Sequence, residues 1–243
     1  MQFEPAMTFP EAHCGERVLH LRVFDDGAHL SSAGQVLPDG LPAGWEGLIA
    51  VDDGLRVDRG SVRITTLPAT PLIKLQAFVD SSAALGTPQA DPQPWATLPV
   101  AYDLIECGQA FERWYLRQML VGDAAYQAFA SVLRRSESYA IVRFLLEQGT
   151  HNEKLTTLAE RYGVSVSHFR RLCRQALGGS TKPALRDWRT AQALLSMSLQ
   201  GGSLTQVAMD AGFASSSHFS REVRELVGFT PSSLADITCL SGK

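Results

Sequence analysis

The sequence predicts an α+β chain: a mostly β N-terminal module followed by helices, then an all-α C-terminal domain with two helix-turn-helix units joined by a linker helix. Three observations carry this reading. Apolar and polar residues alternate over much of residues 17–80, and the apolar spacing turns helical from about residue 104. A pattern in the C-terminal half recurs after 49 to 50 residues. The charge divides the same way. Residues 1–132 hold 8 Lys+Arg against 16 Asp+Glu, and residues 133–243 hold 14 against 9. A net charge of −3 therefore conceals a basic half, which points to an anionic partner for residues 133–243.

Taken in order, residues 18–24 alternate as a strand, and residues 25–27 (Asp25, Asp26, Gly27) supply a turn. Residues 55–57 and 61–65 read as a hairpin around Asp58, Arg59 and Gly60. Residues 71–79 are an apolar run that reads as a further buried strand. Residues 86–94, with Pro88, Pro92 and Pro94, form an irregular connector. Leu104, Phe111, Tyr115, Leu116 and Met119 then suit a helix pair broken near Gly108, and residues 124–133 suit another helix. From Ser136 onward the chain reads as all helix. The expected division is 1–132 as a regulatory, dimerisation or partner-binding module and 133–243 as the DNA-binding domain.

The repeat decides the C-terminal half. Leu155, Thr156, Leu158, Ala159 and Gly163 match Leu204, Thr205, Val207, Ala208 and Gly212 in an L-T-x-apolar-A-x-x-x-G frame. Ser167, His168, Phe169 and Arg171 match Ser217, His218, Phe219 and Arg221 as S-H-F-x-R. Gly178 and Gly228 close the two copies, and the second has one extra residue in its turn. The leading Leu and small Ala give a short helix one apolar face. Gly163 and Gly212 stand where that helix must end, because glycine adopts the left-handed backbone at least cost. Ser165, and Ser215 or Ser216, suit the N-cap of the next helix. This is the layout of a helix-turn-helix, whose second helix enters the major groove.

In each second helix one stripe is expected to be buried: Phe169, Leu172, Cys173 and Ala176, and Phe219, Val223, Leu226 and Val227. The opposite faces present Ser167, Arg170, Arg171 and Arg174, and Ser217, Ser220, Arg221 and Arg224. Guanidinium groups there can bond guanine O6 and N7 or grip phosphates, and serine can serve either purpose. His168 and His218 stand at the helix starts, as caps, packing groups or base contacts. Residues 183–199 make a connecting helix of roughly 20–25 Å that would hold the two reading helices apart.

These residues resemble the AraC/XylS family of bacterial transcription regulators. The likeness covers roughly residues 135–235 and is densest from Leu204 through Ala208, Gly212, Phe213, Ser217, His218, Phe219, Ser220 and Arg221 to Gly228, Pro231 and Ser232. It implies a DNA-binding role for Ser167, Arg170, Arg171, Ser217, Ser220 and Arg221. Arg186, Asp187, Trp188 and Arg189, with residues 208–220, further resemble the branch that activates type III secretion and invasion genes. That likeness implies an activator working with RNA polymerase on promoter DNA and controlled by a protein partner such as a secretion chaperone, with a homodimer as a further expectation. The sequence departs from the family where Cys173 and Val223 replace a usual aromatic, and where Glu222 and Glu225 dilute the second unit's charge. The basic residue usual in the family just after the position of Leu234 is absent, and Ala235 and Asp236 stand there instead.

Other classes find little support. There is no G-x-x-x-x-G-K-[ST], G-x-S-x-G or H-E-x-x-H, so no enzyme is expected. His13, His20 and His29 form no H-x-H set with a downstream Glu, and Cys14, Cys107, Cys173 and Cys239 form no C-x-x-C, so no metal or cofactor is expected. No apolar run nears the roughly 18 residues that cross a bilayer, and the first residues do not read as a secretory signal, so a cytoplasmic protein is expected. Two other readings stay open on the residues alone: an interaction protein or anti-activator that kept the fold, and a metabolic regulator answering to a small molecule.

Overall fold

The structure, a computed structural model, describes residues 17–32, 35–36, 40–52, 54–82, 93–148, 153–200, 203–231 and 233. It divides into two compact units, Met1–Arg143 and Phe144–Lys243. In order the elements are β1 (Arg17–Ser32), β2 (Gln35–Val36), β3 (Glu46–Val51), β4 (Leu55–Leu67), α1 (Thr70–Ser82), β5 (Trp95–Pro99), α2 (Tyr102–Glu106), α3 (Gly108–Val121), α4 (Ala124–Arg134), α5 (Glu137–Gln148), α6 (Leu155–Tyr162), α7 (Val166–Leu177), α8 (Thr181–Gln200), α9 (Leu204–Asp210) and α10 (Ser216–Val227). The boundary between the units falls inside α5.

The first unit is an antiparallel sheet in the order β2-β1-β3-β5, with β4 also paired to β1. Alternation in β1 and β3 serves two cores. Val18, Leu48 and Ala50 face the helices with Ile73, Leu98, Tyr115 and Phe129. Leu19, Leu21, Val23, Ile49 and Val51 gather on the other side with Leu30 and Leu55.

Two expected turns are bulges instead. β1 runs unbroken from Arg17 to Ser32 and β4 from Leu55 to Leu67, with the register shifting between Val23 and Ala28 and again between His29 and Leu30. Gly27 (φ 68°) and Gly60 (φ 100°) meet there, and a Cβ on Gly60 would lie 2.0 Å from the Gly27 carbonyl oxygen. The positive φ that makes Asp-x-Gly look like a hairpin turn also accommodates extra residues in a strand, three in β1 before Ala28 and one in β4 between Val57 and Arg59.

The expected strand over residues 71–79 is the helix α1. Leu72, Ile73, Gln76 and Ala77 are buried, a spacing of three to four that only a helix aligns. Pro71 sits in the first turn, where its missing N–H costs nothing. β5 was not anticipated; it closes the sheet on β3, with Pro99 at its end. The helix pair broken near Gly108 is present as α2 and α3, and α4 lies where expected. Of the expected connector, residues 86–92 lie outside the described residues.

A buried polar network ties α1, α3, α4 and α5 together. The hydroxyls of Tyr115 and Tyr126 donate to Gln76 Oε1 (2.8 and 2.9 Å), and Gln76 Nε2 donates to Asp80 Oδ1 (3.0 Å). Asp80 also accepts from Arg134 Nε and Nη2 (2.8 and 3.0 Å) and from the Tyr139 hydroxyl (2.7 Å). Burial alone would raise the Asp80 carboxyl. The hydrogen bonds from Arg134 and Tyr139 outweigh it and hold the group below the usual carboxylate value.

Candidate nucleic-acid interface

Both copies of the repeat fold as the sequence dictates. In the first, Val164 N–H donates to Ala159 C=O (3.1 Å) and Gly163 N–H to Glu160 C=O (3.0 Å). In the second, Phe213 N–H donates to Ala208 C=O and Gly212 N–H to Met209 C=O, both at 2.9 Å. These paired bonds form a Schellman motif at each helix end, with a glycine at φ 82° in one copy and 73° in the other. The chain then starts the second helix on a serine cap. Ser165 Oγ accepts from His168 N–H (3.3 Å), and Ser215, rather than Ser216, accepts from His218 N–H (3.1 Å).

Packing under the two units differs. The first rests on aromatic contacts of Phe144 with Tyr162 and Phe169 (ring centroids 5.0 and 6.0 Å apart). The second is built on Phe213, Phe219, Val223, Ala208 and Ala193, with Phe213 and Phe219 5.0 Å apart. The connecting helix α8 packs against α7, α9 and α10. Its 20 residues make it about 30 Å long, longer than the sequence suggested.

In α7 the expected stripe of Phe169, Leu172, Cys173 and Ala176 is buried, and Ser167, Arg170, Arg171 and Arg174 are exposed on the other side. Burial pushes the Cys173 thiol up to about 11, which marks it as a packing group. His168 is half-buried, with Nε2 3.1 Å from Arg171 Nη2. In α10, Phe219 and Val223 are buried, but Leu226 and Val227 are 40% and 39% exposed, against the expectation. Their counterparts Ala176 and Leu177 in α7 are buried. Ser217, Arg221 and Arg224 are exposed, and Ser220 is half-buried. A hollow at the start of α10 brings Ser217, His218 and Arg221 together.

Glu222 offsets charge in the second helix-turn-helix, as expected, but from a buried position: it is 5% exposed and faces α8. Its carboxylate takes Arg186 Nε at 2.9 Å, His218 Nε2 at 3.3 Å and Arg221 Nη2 at 3.6 Å. The repeat itself carried this signal: Glu222 occupies the position of Leu172, which is 4% exposed. One turn along α8, Arg189 lies over the Phe213 ring, 4.8 Å from its centroid. Arg186 and Arg189 thus fasten the second unit to the linker helix. Glu225 stays on the surface, 3.8 Å from Arg221. Among the described residues, Arg170, Arg174 and Arg224 have no carboxylate partner, which leaves their charge available to an anion.

Fold and site define a DNA-binding protein with two helix-turn-helix units in one chain. A helix-turn-helix domain model matches residues 158–236. The chain is 39% identical over 185 residues to "Invasion protein InvF" of Salmonella typhi, covering 76% of this chain and 86% of that one. It is 37% identical over 134 residues to "Transcriptional regulator MxiE" of Shigella flexneri, covering 54% and 64%. Among solved structures it is similar to a transcriptional regulator with an AraC-type DNA-binding domain from Chromobacterium violaceum. There the identity is 26% and the TM-score 0.35, covering 40% of this chain and 84% of that one. The chain belongs to the AraC/XylS family of transcription regulators, in the branch of InvF and MxiE. No described helix is long and apolar enough to cross a membrane, and no group of metal-ligating side chains occurs among the described residues.

Proposed function

We propose that this chain activates type III secretion or virulence genes by reading promoter DNA through α7 and α10. Ser167, His168, Arg170, Arg171 and Arg174 make contact from the first unit, and Ser217, His218, Ser220, Arg221 and Arg224 from the second. The observation that carries the reading is the doubled motif: the same cap, turn and S-H-F-x-R helix built twice in one chain and bridged by a single helix. Similarity to an invasion protein over 76% of the chain supports the class of target genes. The unpartnered Arg170, Arg174 and Arg224 are placed to bond guanine edges or phosphates.

In this proposal the regulator works in the cytoplasm with RNA polymerase, as a regulator rather than an enzyme. The N-terminal module, residues 1–132, receives control from a protein partner, a secretion chaperone in this branch, or from a second copy of the chain. The test is the combined substitution of Arg170, Arg171 and Arg174 by Ala in the full chain. Each base contact removed costs about 1–3 kcal/mol, so promoter binding and reporter expression are lost while partner capture persists. Undiminished reporter expression from this variant would instead favour an interaction protein that kept the fold without its DNA contacts.

A further inference from the structure

Beside α7, within Phe144–Lys243, lies a cleft of about 530 Å³ that extends beyond the reading face. It lies among the starts of α6 and α8 and the side of α7. Its wall carries five cations, Lys154, Arg170, Lys182, Arg186 and Arg189, and one carboxylate, Glu153. Glu153 is already paired with Arg161 at 3.0 Å, and Arg186 is committed to Glu222 at 2.9 Å. Lys154, Arg170 and Lys182 have no ion-pair partner among the described residues. Arg189 keeps a buried Nε with no hydrogen-bond partner. α6 also begins without a side-chain cap: Lys154 holds the N-cap position and makes no capping bond, and the first helical residues, Leu155 and Thr156, line the same cleft. A cleft of this charge suits an anion with several oxygens, and a phosphate matches both the guanidinium fork and the helix start.

We propose that this cleft is a phosphate site, filled in the promoter complex by a backbone phosphate flanking the block read by α7. The inference rests on the DNA reading above. Arg170 decides between sources of phosphate, because it belongs both to the exposed face of α7 and to the cleft wall, making the cleft continuous with the reading surface. Lys154 and Lys182 then anchor the first unit whatever the base sequence. Arg170 links that anchor to the bases.

The test uses the full chain carrying Lys154→Ala and Lys182→Ala together; both side chains are exposed, so the fold is not at stake. Two lost phosphate contacts make the slope of log Kobs against log[salt] shallower by about 1.8, and weaken binding about 60-fold at 0.1 M salt. The loss is the same on a selected operator and on an unrelated duplex. The double Arg variant at the same positions restores the slope. In parallel, amine modification read by mass spectrometry finds Lys154 and Lys182 protected by duplex DNA. An unchanged slope with both lysines still reactive in the complex overturns the inference, and if Arg174→Ala still weakens operator binding, the DNA reading itself stands. Protection by inorganic pyrophosphate but not by duplex overturns it in favour of a free anion. A wild-type chain that binds no duplex overturns both.

Discussion

Glu222 offers the sharpest perturbation because one buried carboxylate connects the linker helix to the second reading helix. Glu222→Gln keeps the shape and removes the charge that Arg186 meets at 2.9 Å. A charge-assisted hydrogen bond contributes about 1.5–3 kcal/mol, and Arg186, with a side chain 43% exposed, falls toward the lower end because solvent screens it. His218, at 3.3 Å, adds a smaller share. The expected loss is about 2 kcal/mol, which corresponds to local opening of α10 becoming about 30 times more frequent. Hydrogen exchange on peptides covering residues 216–227 reads it directly, with peptides of α7 as the internal control. A double-mutant cycle with Arg186→Met isolates the pair, with an expected coupling of about 1–2 kcal/mol. A coupling below about 0.3 kcal/mol, with α10 exchange unchanged, would refute the idea that α8 fastens the second unit through Glu222.

Three further outcomes follow from the same structure. Asp80→Asn leaves Arg134 buried without its carboxylate and destabilises the first unit by about 3 kcal/mol in urea unfolding. Because the folded carboxyl titrates below its unfolded value, the wild-type contribution is present above about pH 4 and is lost as the pH falls through the folded value. The Asn variant lacks that acid-dependent step. Ser165→Ala and Ser215→Ala each remove an N-cap and cost about 1 kcal/mol, measurable as a lower urea midpoint for the C-terminal half, Phe144–Lys243. Cys173, buried and with its thiol pushed up to about 11, stays unmodified by a disulfide reagent at pH 8 in the folded chain. Peptide mapping finds Cys107 labelled under the same conditions, since it is exposed.

How much the sequence disclosed depended on how local each signal was. The helix-turn-helix units were legible because every device that makes them lies within a few residues. The serine caps, the glycine-terminated helices and the alternation of Phe169 and Phe219 with exposed arginines are all read along one segment. The sheet was less legible because its register is non-local. Asp58, Arg59 and Gly60 look like a turn until Gly60 is seen opposite Ala28 on a strand some thirty residues earlier in the chain. Residues 71–79 form a short apolar run, and periodicity alone does not separate a buried strand from a buried helix; Pro71 in the first turn was the missed cue. Glu222 was misplaced because its charge was weighed before its position in the repeat. Lys154 and Lys182 went unnoticed since the cleft they line is assembled from three separated segments.

The central claim, that one chain reads DNA with two helices joined by a rigid linker, is tested most directly by selecting genomic fragments with the full-length protein at two salt concentrations and sequencing what is retained. The account predicts an asymmetric motif of two blocks about 10 base pairs apart, one for each reading helix. Retention of a single block, or binding that falls with salt but selects no sequence, would contradict it.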